Sequence, residues 1–223
     1  MDHEPSAHRY AVATSGGKDS TLALYRAQRQ GLRVTHVLHL YGTEHGRVRF
    51  HGYRPDVIAA QARALGLDAI IAPSRSDRFD EDFTAALGQA REAGVGGVIF
   101  GNIHLQDVGD YYRRLVEGAG LEHREMLWHE EPLALVTEFV ESGFRAVVTS
   151  VWLKLLGREF LGRELDRDFI AHISKLDGMD PCGERGEYHT LCYDGPCFRE
   201  PLRFTVAGEH EEPDYLFLDL RLA

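Results

Sequence analysis

Tyr10-Ala11-Val12-Ala13-Thr14-Ser15-Gly16-Gly17-Lys18-Asp19-Ser20 reads as a short apolar strand running straight into a glycine loop. Thr21 to Gln30 then reads as a helix stopped by Gly31. Strand, loop and helix in that order build an anion cradle. Gly16 and Gly17 let backbone N–H groups approach a ligand without side chains in the way, and the helix brings its positive end to the same point. Lys18 adds a mobile cation, and Ser15 and Ser20 add hydroxyl donors. Asp19 is the exception in this set, because a carboxylate repels phosphate unless a cation stands between them, which makes it the candidate magnesium contact.

Outward from the loop the same rhythm repeats. Val34 to Leu40 is β-branched and apolar, Pro55 to Leu65 is helical up to Gly66, and Ala69 to Ala72 is strand-like. Phe79 to Ala93 is a helix with three acids in its first turn, and Gly97 to Phe100 supplies another strand. Strands alternating with such helices imply right-handed crossovers and a parallel, doubly wound α/β sheet, with ligands at the carboxyl ends of the strands. The rhythm continues through a helix from Pro132 to Gly143 and a strand from Phe144 to Thr149, then changes near Gly178. Tyr188 to Tyr193, Leu202 to Val206 and Tyr215 to Leu222 read as strands joined by Gly and Pro turns. The expected organisation is therefore a ligand-binding domain over 1–130 and a smaller C-terminal α+β subdomain over 131–223.

Composition limits the partners. A net charge of -10 works against non-specific attraction to nucleic acid or an anionic membrane. No apolar run approaches the ~18 residues of a membrane span, and Met1 to Pro5 lacks a basic segment followed by an apolar one, so a cytoplasmic setting is expected. Cys182, Cys192 and Cys197 are odd in number and contain no Cys-x-x-Cys, which favours buried thiols over a disulfide framework or a zinc or iron-sulfur site. These totals leave a homo-oligomer open.

The loop is not a Walker A loop: Val12 stands where its first glycine belongs, and Asp19 where Ser or Thr must follow the lysine. Ser-Gly-Gly-Lys-Asp-Ser after an N-terminal strand resembles instead the pyrophosphate loop of ATP pyrophosphatases, in the adenine nucleotide alpha hydrolase superfamily. That resemblance implies a HUP-like sheet, ATP and Mg2+ as ligands, and attack at the α-phosphate with pyrophosphate leaving.

Four further segments narrow the resemblance. They are Arg49-Phe50-His51-Gly52 leading into Gln61 to Gly66; Phe100-Gly101-Asn102-Ile103 with Leu105 and Asp107; Leu161 to Asp166; and Asp180-Pro181-Cys182-Gly183-Glu184-Arg185-Gly186-Glu187-Tyr188-His189-Thr190. Together they resemble the diphthine-ammonia ligase family. The resemblance implies an ATP-dependent amide ligase that adenylates a carboxylate acceptor, which in the family is a diphthine side chain on elongation factor 2, and then joins it to ammonium. Asn102 and Gln106 depart from the family pattern, which usually has acids there.

Read on their own chemistry, Glu184, Glu187 and His189 form a polar cluster on a glycine-permissive loop. The carboxylates suit magnesium or ammonium, and His189 or a carboxylate suits proton transfer. A solvated turn is the plain alternative. Beside Arg49 and Arg54, His51 suits phosphate or a substrate carboxylate, whereas His36 and His39 read more naturally as packed or surface strand residues. Arg163 suits an anion or its own helix acids. The catalytic set expected from sequence is Lys18, Glu184, Glu187 and His189, with Ser15 to Ser20 and His51 binding ATP. Two other readings stand beside it: an adenylating tRNA-modifying enzyme, and an ATP-binding sensor that never turns over.

Overall fold

A computed structural model describes residues 8–223, so the opening Met1 to Pro5, read above for a leader, lies outside the described residues. The first half is a five-stranded parallel sheet. Its strands are β1 (Arg9–Ala13), β2 (Arg33–Gly42), β3 (Asp68–Ser74), β4 (Val95–Phe100) and β5 (Glu122–Glu125), in the order β3-β2-β1-β4-β5. Between them run α1 (Lys18–Arg29), α2 (Pro55–Leu65), α3 (Phe79–Glu92) and α4 (Gln106–Gly118).

Alternation along β1 divides the core. Tyr10 and Val12 face the α1 and α2 side, packing with Leu22, Leu24 and Ile58, while Ala11 faces α3 and α4 with Leu87 and Val116. Both faces are covered, as a parallel sheet requires. The chain leaves β1 toward β2 and later returns on its other side to β4, so the strand order reverses at β1, where such sheets open a ligand crevice.

The second half adds α5 (Pro132–Glu141), β6 (Arg145–Trp152), α6 (Arg167–Ile173), β7 (Tyr188–Asp194), β8 (Phe204–Glu212) and β9 (Tyr215–Leu222). The strands form an antiparallel sheet ordered β7-β6-β9-β8. The rhythm that continued to residue 149 in sequence does not extend the parallel sheet, because β6 takes antiparallel partners. This sheet lies over α1 and α2, and Val148, Leu191 and Leu216 share one apolar cluster with Leu22 and Ile58. The two sheets thus meet through a common core, which carries β7 to the glycine loop. Among the described residues no helix is long and apolar enough to cross a membrane.

Candidate active site

The glycine loop leaves β1 at Thr14 and enters α1 at Lys18, with Gly17 as the helix N-cap. It is tied down from three elements. From α2, Gln61 Nε2 donates to Gly16 O at 2.9 Å and to Cys192 O at 2.7 Å. From β7, Cys192 N donates to Gly16 O at 2.9 Å, and Thr190 Oγ1 accepts from Lys18 N at 3.1 Å. From the segment before α2, the Tyr53 hydroxyl donates to Ser15 O.

Gly16 has φ +87°, and a Cβ there would lie 2.6 Å from Tyr53 Oη, so only glycine fits. Gly17 is constrained by close approach rather than φ, since a Cβ would meet His51 Cε1 at 3.2 Å and Thr190 O at 3.3 Å. A side chain at Gly17 therefore strikes the protein's own wall, in addition to any phosphate.

The loop opens into a cavity of about 670 Å³. Ser15, Gly17, Lys18, Asp19, Ser20 and His51 line it, and so do Glu184 and His189 from the far end of the sequence. Two expected residues stand apart. Gly16 lies beneath the lining, and Glu187, 1% exposed, spends both carboxylate oxygens on backbone N–H groups: Asp180 N at 3.1 Å and Arg185 N at 3.0 Å. Glu187 is thus the hub of the 180–188 loop. Tyr188 Oη closes the same loop by donating to Pro181 O at 2.6 Å, and Glu184 is left facing the cavity, where its Oε1 accepts from Ile103 N at 3.1 Å.

Charge is unevenly distributed here. Lys18 is buried, with Nζ 2.8 Å from Asp19 Oδ2, bonded to Cys182 O and 5.1 Å from the centre of the Tyr188 ring. Burial disfavours its ammonium, but Asp19 and the other groups around it more than compensate and hold its pKa above the usual lysine range. Asp19 and Glu184 are both raised, first by burial. Lys18 opposes the rise at Asp19, whereas Asp19 and the buried Asp180 reinforce it at Glu184, which is pushed up to about 7. One lysine among three carboxylates leaves the site short of positive charge.

Three imidazoles face the same cavity, and burial depresses all of them. His39 falls to about 4, His189 to about 3, and His51 well below its ordinary value. His39 Nδ1 lies 2.7 Å from Thr14 O and His51 Nδ1 3.1 Å from Thr190 O. A carbonyl only accepts, so in both rings Nδ1 carries the proton and Nε2 a lone pair. The His51 and His189 rings are 4.8 Å apart, and Phe50, at φ +64°, stacks on His189 at the cavity mouth. Phe79, Phe83, Phe100, Tyr111 and Tyr112 form an aromatic wall on the α3 and α4 side.

The weaker sequence candidates separate clearly. His39, read as a packed or surface strand residue, is buried and also lines the cavity, while His36 lies outside it near Asp68. Arg49 lines the cavity and donates to Ser76 Oγ at 2.7 Å. Arg163 stacks over Phe160 and Phe169, away from the site. Cys182 is buried, with Sγ donating to Pro132 O at 3.1 Å and burial raising its thiol, the signature of an inert cysteine. Asn102 lines the cavity, and Gln106 pairs with Asp110 on exposed α4. Sequence reasoning missed Gln61, Tyr53 and Thr190 as loop anchors. Gln61 lay inside a quoted segment, but only its burial reveals its task.

Among the described residues no group of three or more His, Cys, Asp or Glu side chains is arranged to hold a metal. Magnesium nevertheless fits the donor set if substrate phosphate supplies most of the oxygens, as this ion prefers, with Asp19 the carboxylate at the loop and the local excess of negative charge favouring a cation.

A glycine loop at the reversal point of a parallel sheet, opening into a polar cavity, defines a nucleotide-binding α/β protein with a pyrophosphate loop after its first strand. Comparison with known proteins is more specific. Residues 8–123 match the diphthamide synthase N-terminal domain and residues 131–218 the diphthamide synthase C-terminal domain. The chain belongs to the diphthamide synthase family, and it is an ATP-dependent ligase.

It is 26% identical over 218 residues to the diphthine–ammonia ligase of Danio rerio, covering 84% of this chain and 83% of that one. The diphthine–ammonia ligase of Homo sapiens is 27% identical over 222 residues, covering 87% and 82%. Among solved structures, the U34-tRNA thiolase NcsA from Methanococcus maripaludis with its 4Fe-4S cluster aligns at a TM-score of 0.39 and 17% identity, over 60% of this chain and 56% of that chain. A likeness that loose carries no functional argument.

Proposed function

We propose that the enzyme splits ATP to AMP and pyrophosphate and uses the adenylate to join a carboxylate to ammonia, with a diphthine side chain of elongation factor 2 as the acceptor. The observation that carries this reading is the single cavity shared by the glycine loop and the 183–190 segment. One side of it offers a phosphate cradle, the other a carboxyl group at about 7 and neutral imidazoles.

A carboxylate and ammonia give only a salt, because the carboxylate has no leaving group. Attack of the carboxylate oxygen on the α-phosphorus breaks the bond to the bridging oxygen and releases pyrophosphate. Lys18, Ser15, Ser20 and the N-terminus of α1 receive its charge. Magnesium held by Asp19 and the phosphates would neutralise more of that charge. Ammonia then attacks the acyl carbon, a C–N bond forms and AMP leaves. A carboxyl titrating near neutrality can take the proton that the nitrogen gives up, so Glu184 is assigned as the general base. Water must be kept from the adenylate, which it would otherwise hydrolyse, and the aromatic side chains of the lining restrict its access. In this reading residues 1–130 bind ATP, residues 131–223 shape the acceptor side, and Glu187 acts by holding the 180–188 loop in shape. The protein works in the cytoplasm.

The test separates nucleotide binding from turnover. Glu184→Gln and His189→Ala should bind ATP as the wild type does by calorimetry, yet lose AMP formation with diphthine-bearing elongation factor 2 and ammonium. Unchanged turnover in Glu184→Gln would overturn its role as the base, and unchanged turnover in His189→Ala would overturn a catalytic part for that imidazole. ATP binding without AMP release by the wild type would favour a sensor.

A further inference from the structure

Asn102 follows the carboxyl end of β4, where Gly101 packs so closely on α1 that a Cβ would fall 2.7 Å from the Asp19 backbone. Its Nδ2 donates to Glu125 Oε1 at 2.8 Å. Glu125 ends β5, in register with Phe100, and its side chain is 6% exposed with His123 Nε2 3.1 Å away. Glu125 Oε2 is buried with no hydrogen-bond partner among the described residues. A buried carboxylate with one oxygen unpaired is costly to keep.

What Glu125 does is settle which way the Asn102 amide faces. A carboxylate accepts and cannot donate, so the NH2 of Asn102 must point to Glu125, and the carbonyl oxygen is left for the cavity that Asn102 lines. The next residue, Ile103, donates its N–H to Glu184 Oε1, which brings the Glu184 carboxyl to the same corner. Asp19 lines the cavity beside Gly101. The corner therefore presents hydrogen-bond acceptors and negative charge.

We infer that Glu125 is a positioning residue that turns the Asn102 carbonyl into the cavity, where it completes with Glu184 a subsite for ammonium. The inference rests on the amide-ligase reading and names where its nitrogen enters. An ammonium ion carries a positive charge and four N–H donors, and it matches an amide oxygen beside carboxylates. A reversed amide would present donors to the ion and repel it.

The test needs no acceptor substrate, so it can fail independently of the proposed reaction. With a non-hydrolysable ATP analogue and saturating magnesium present throughout, thermal stability is titrated with ammonium chloride and with tetramethylammonium chloride, which has no N–H. The wild type should show a saturable rise with ammonium only. Glu125→Gln frees the amide to flip, and Asn102→Ala removes the oxygen; each should weaken the ammonium response about tenfold, as expected for loss of a hydrogen bond to a charged group. In the double variant Asn102→Asp/Glu125→Gln the donor and acceptor roles are exchanged, with an amide now donating to a carboxylate that still faces the cavity, so the response should return.

The inference is overturned if the wild type responds equally to tetramethylammonium or does not respond to ammonium at all. It is also overturned if the double variant is no better than the single ones, or if the single variants lose ATP affinity instead.

Discussion

Replacing Glu184 by Gln should stabilise the unliganded protein while abolishing its turnover, and the stabilisation should depend on pH. Glu184 is half-buried and sits among Asp19 and Asp180, with its carboxyl raised from 4.5 to about 7. A carboxyl with a raised pKa holds its proton more tightly in the folded protein than in the unfolded chain. Between pH 4.5 and about 7 the folded state therefore binds more protons, and stability falls as the pH rises through that window. Below it the two states are equally protonated and no penalty applies; above it the penalty is complete. At ~1.4 kcal/mol per pH unit the ceiling is ~3 kcal/mol, and partial solvent screening brings the expectation to ~1–3 kcal/mol.

A glutamine in that place cannot ionise, yet its Oε1 can still accept from Ile103 N, so the loop geometry survives. Urea unfolding of both proteins at pH 4.5 and pH 8 measures the difference directly. The variant should match the wild type at the lower pH and exceed it at the higher. Equal loss of stability at both values would show that Glu184 is a structural carboxylate and refute the reasoning.

Gly16→Ala should destabilise the fold by ~2–4 kcal/mol, combining a left-handed backbone with a Cβ 2.6 Å from Tyr53 Oη; an unchanged melting temperature would contradict this. Glu187→Gln retains one acceptor for two backbone donors, Asp180 N and Arg185 N, and should lower stability by ~1–3 kcal/mol while ATP affinity by calorimetry stays as in the wild type. Lys18→Ala should weaken ATP binding about ten- to a hundredfold and also lower the melting temperature, because the buried ammonium is the counter-charge for Asp19; loss of ATP binding with full stability would mean the lysine is not held as described.

Local signals were legible where they are strong. The helix read as Pro55 to Leu65 has those bounds, since Pro55 sets its first turn and Gly66 takes the left-handed cap at φ +70°. The strand β5, Glu122–Glu125, has no apolar residue to announce it, and it is a strand only because β4 offers it hydrogen bonds. The helix before it, α4, likewise went unread. In β6 the apolar run is the same whether its neighbours run parallel or antiparallel, so its place in the second sheet is decided by tertiary contacts.

At the site, the glycine loop is legible because its residues are consecutive. The tasks of Gln61 and Glu125 are set by neighbours far away in sequence, and that of Glu187 by the folding of its own 180–188 loop. Glu184 and Glu187 look alike as two acids three apart, yet one faces the cavity and the other is wrapped in backbone donors.

The central claim is that ATP is cleaved between its α- and β-phosphates to drive amide formation. Phosphorus NMR of the enzyme with ATP, magnesium, ammonium chloride and diphthine-bearing elongation factor 2 tests it most directly. The account predicts AMP and pyrophosphate in equal amounts, formed only when the acceptor is present. ADP and inorganic phosphate as the main products would contradict it.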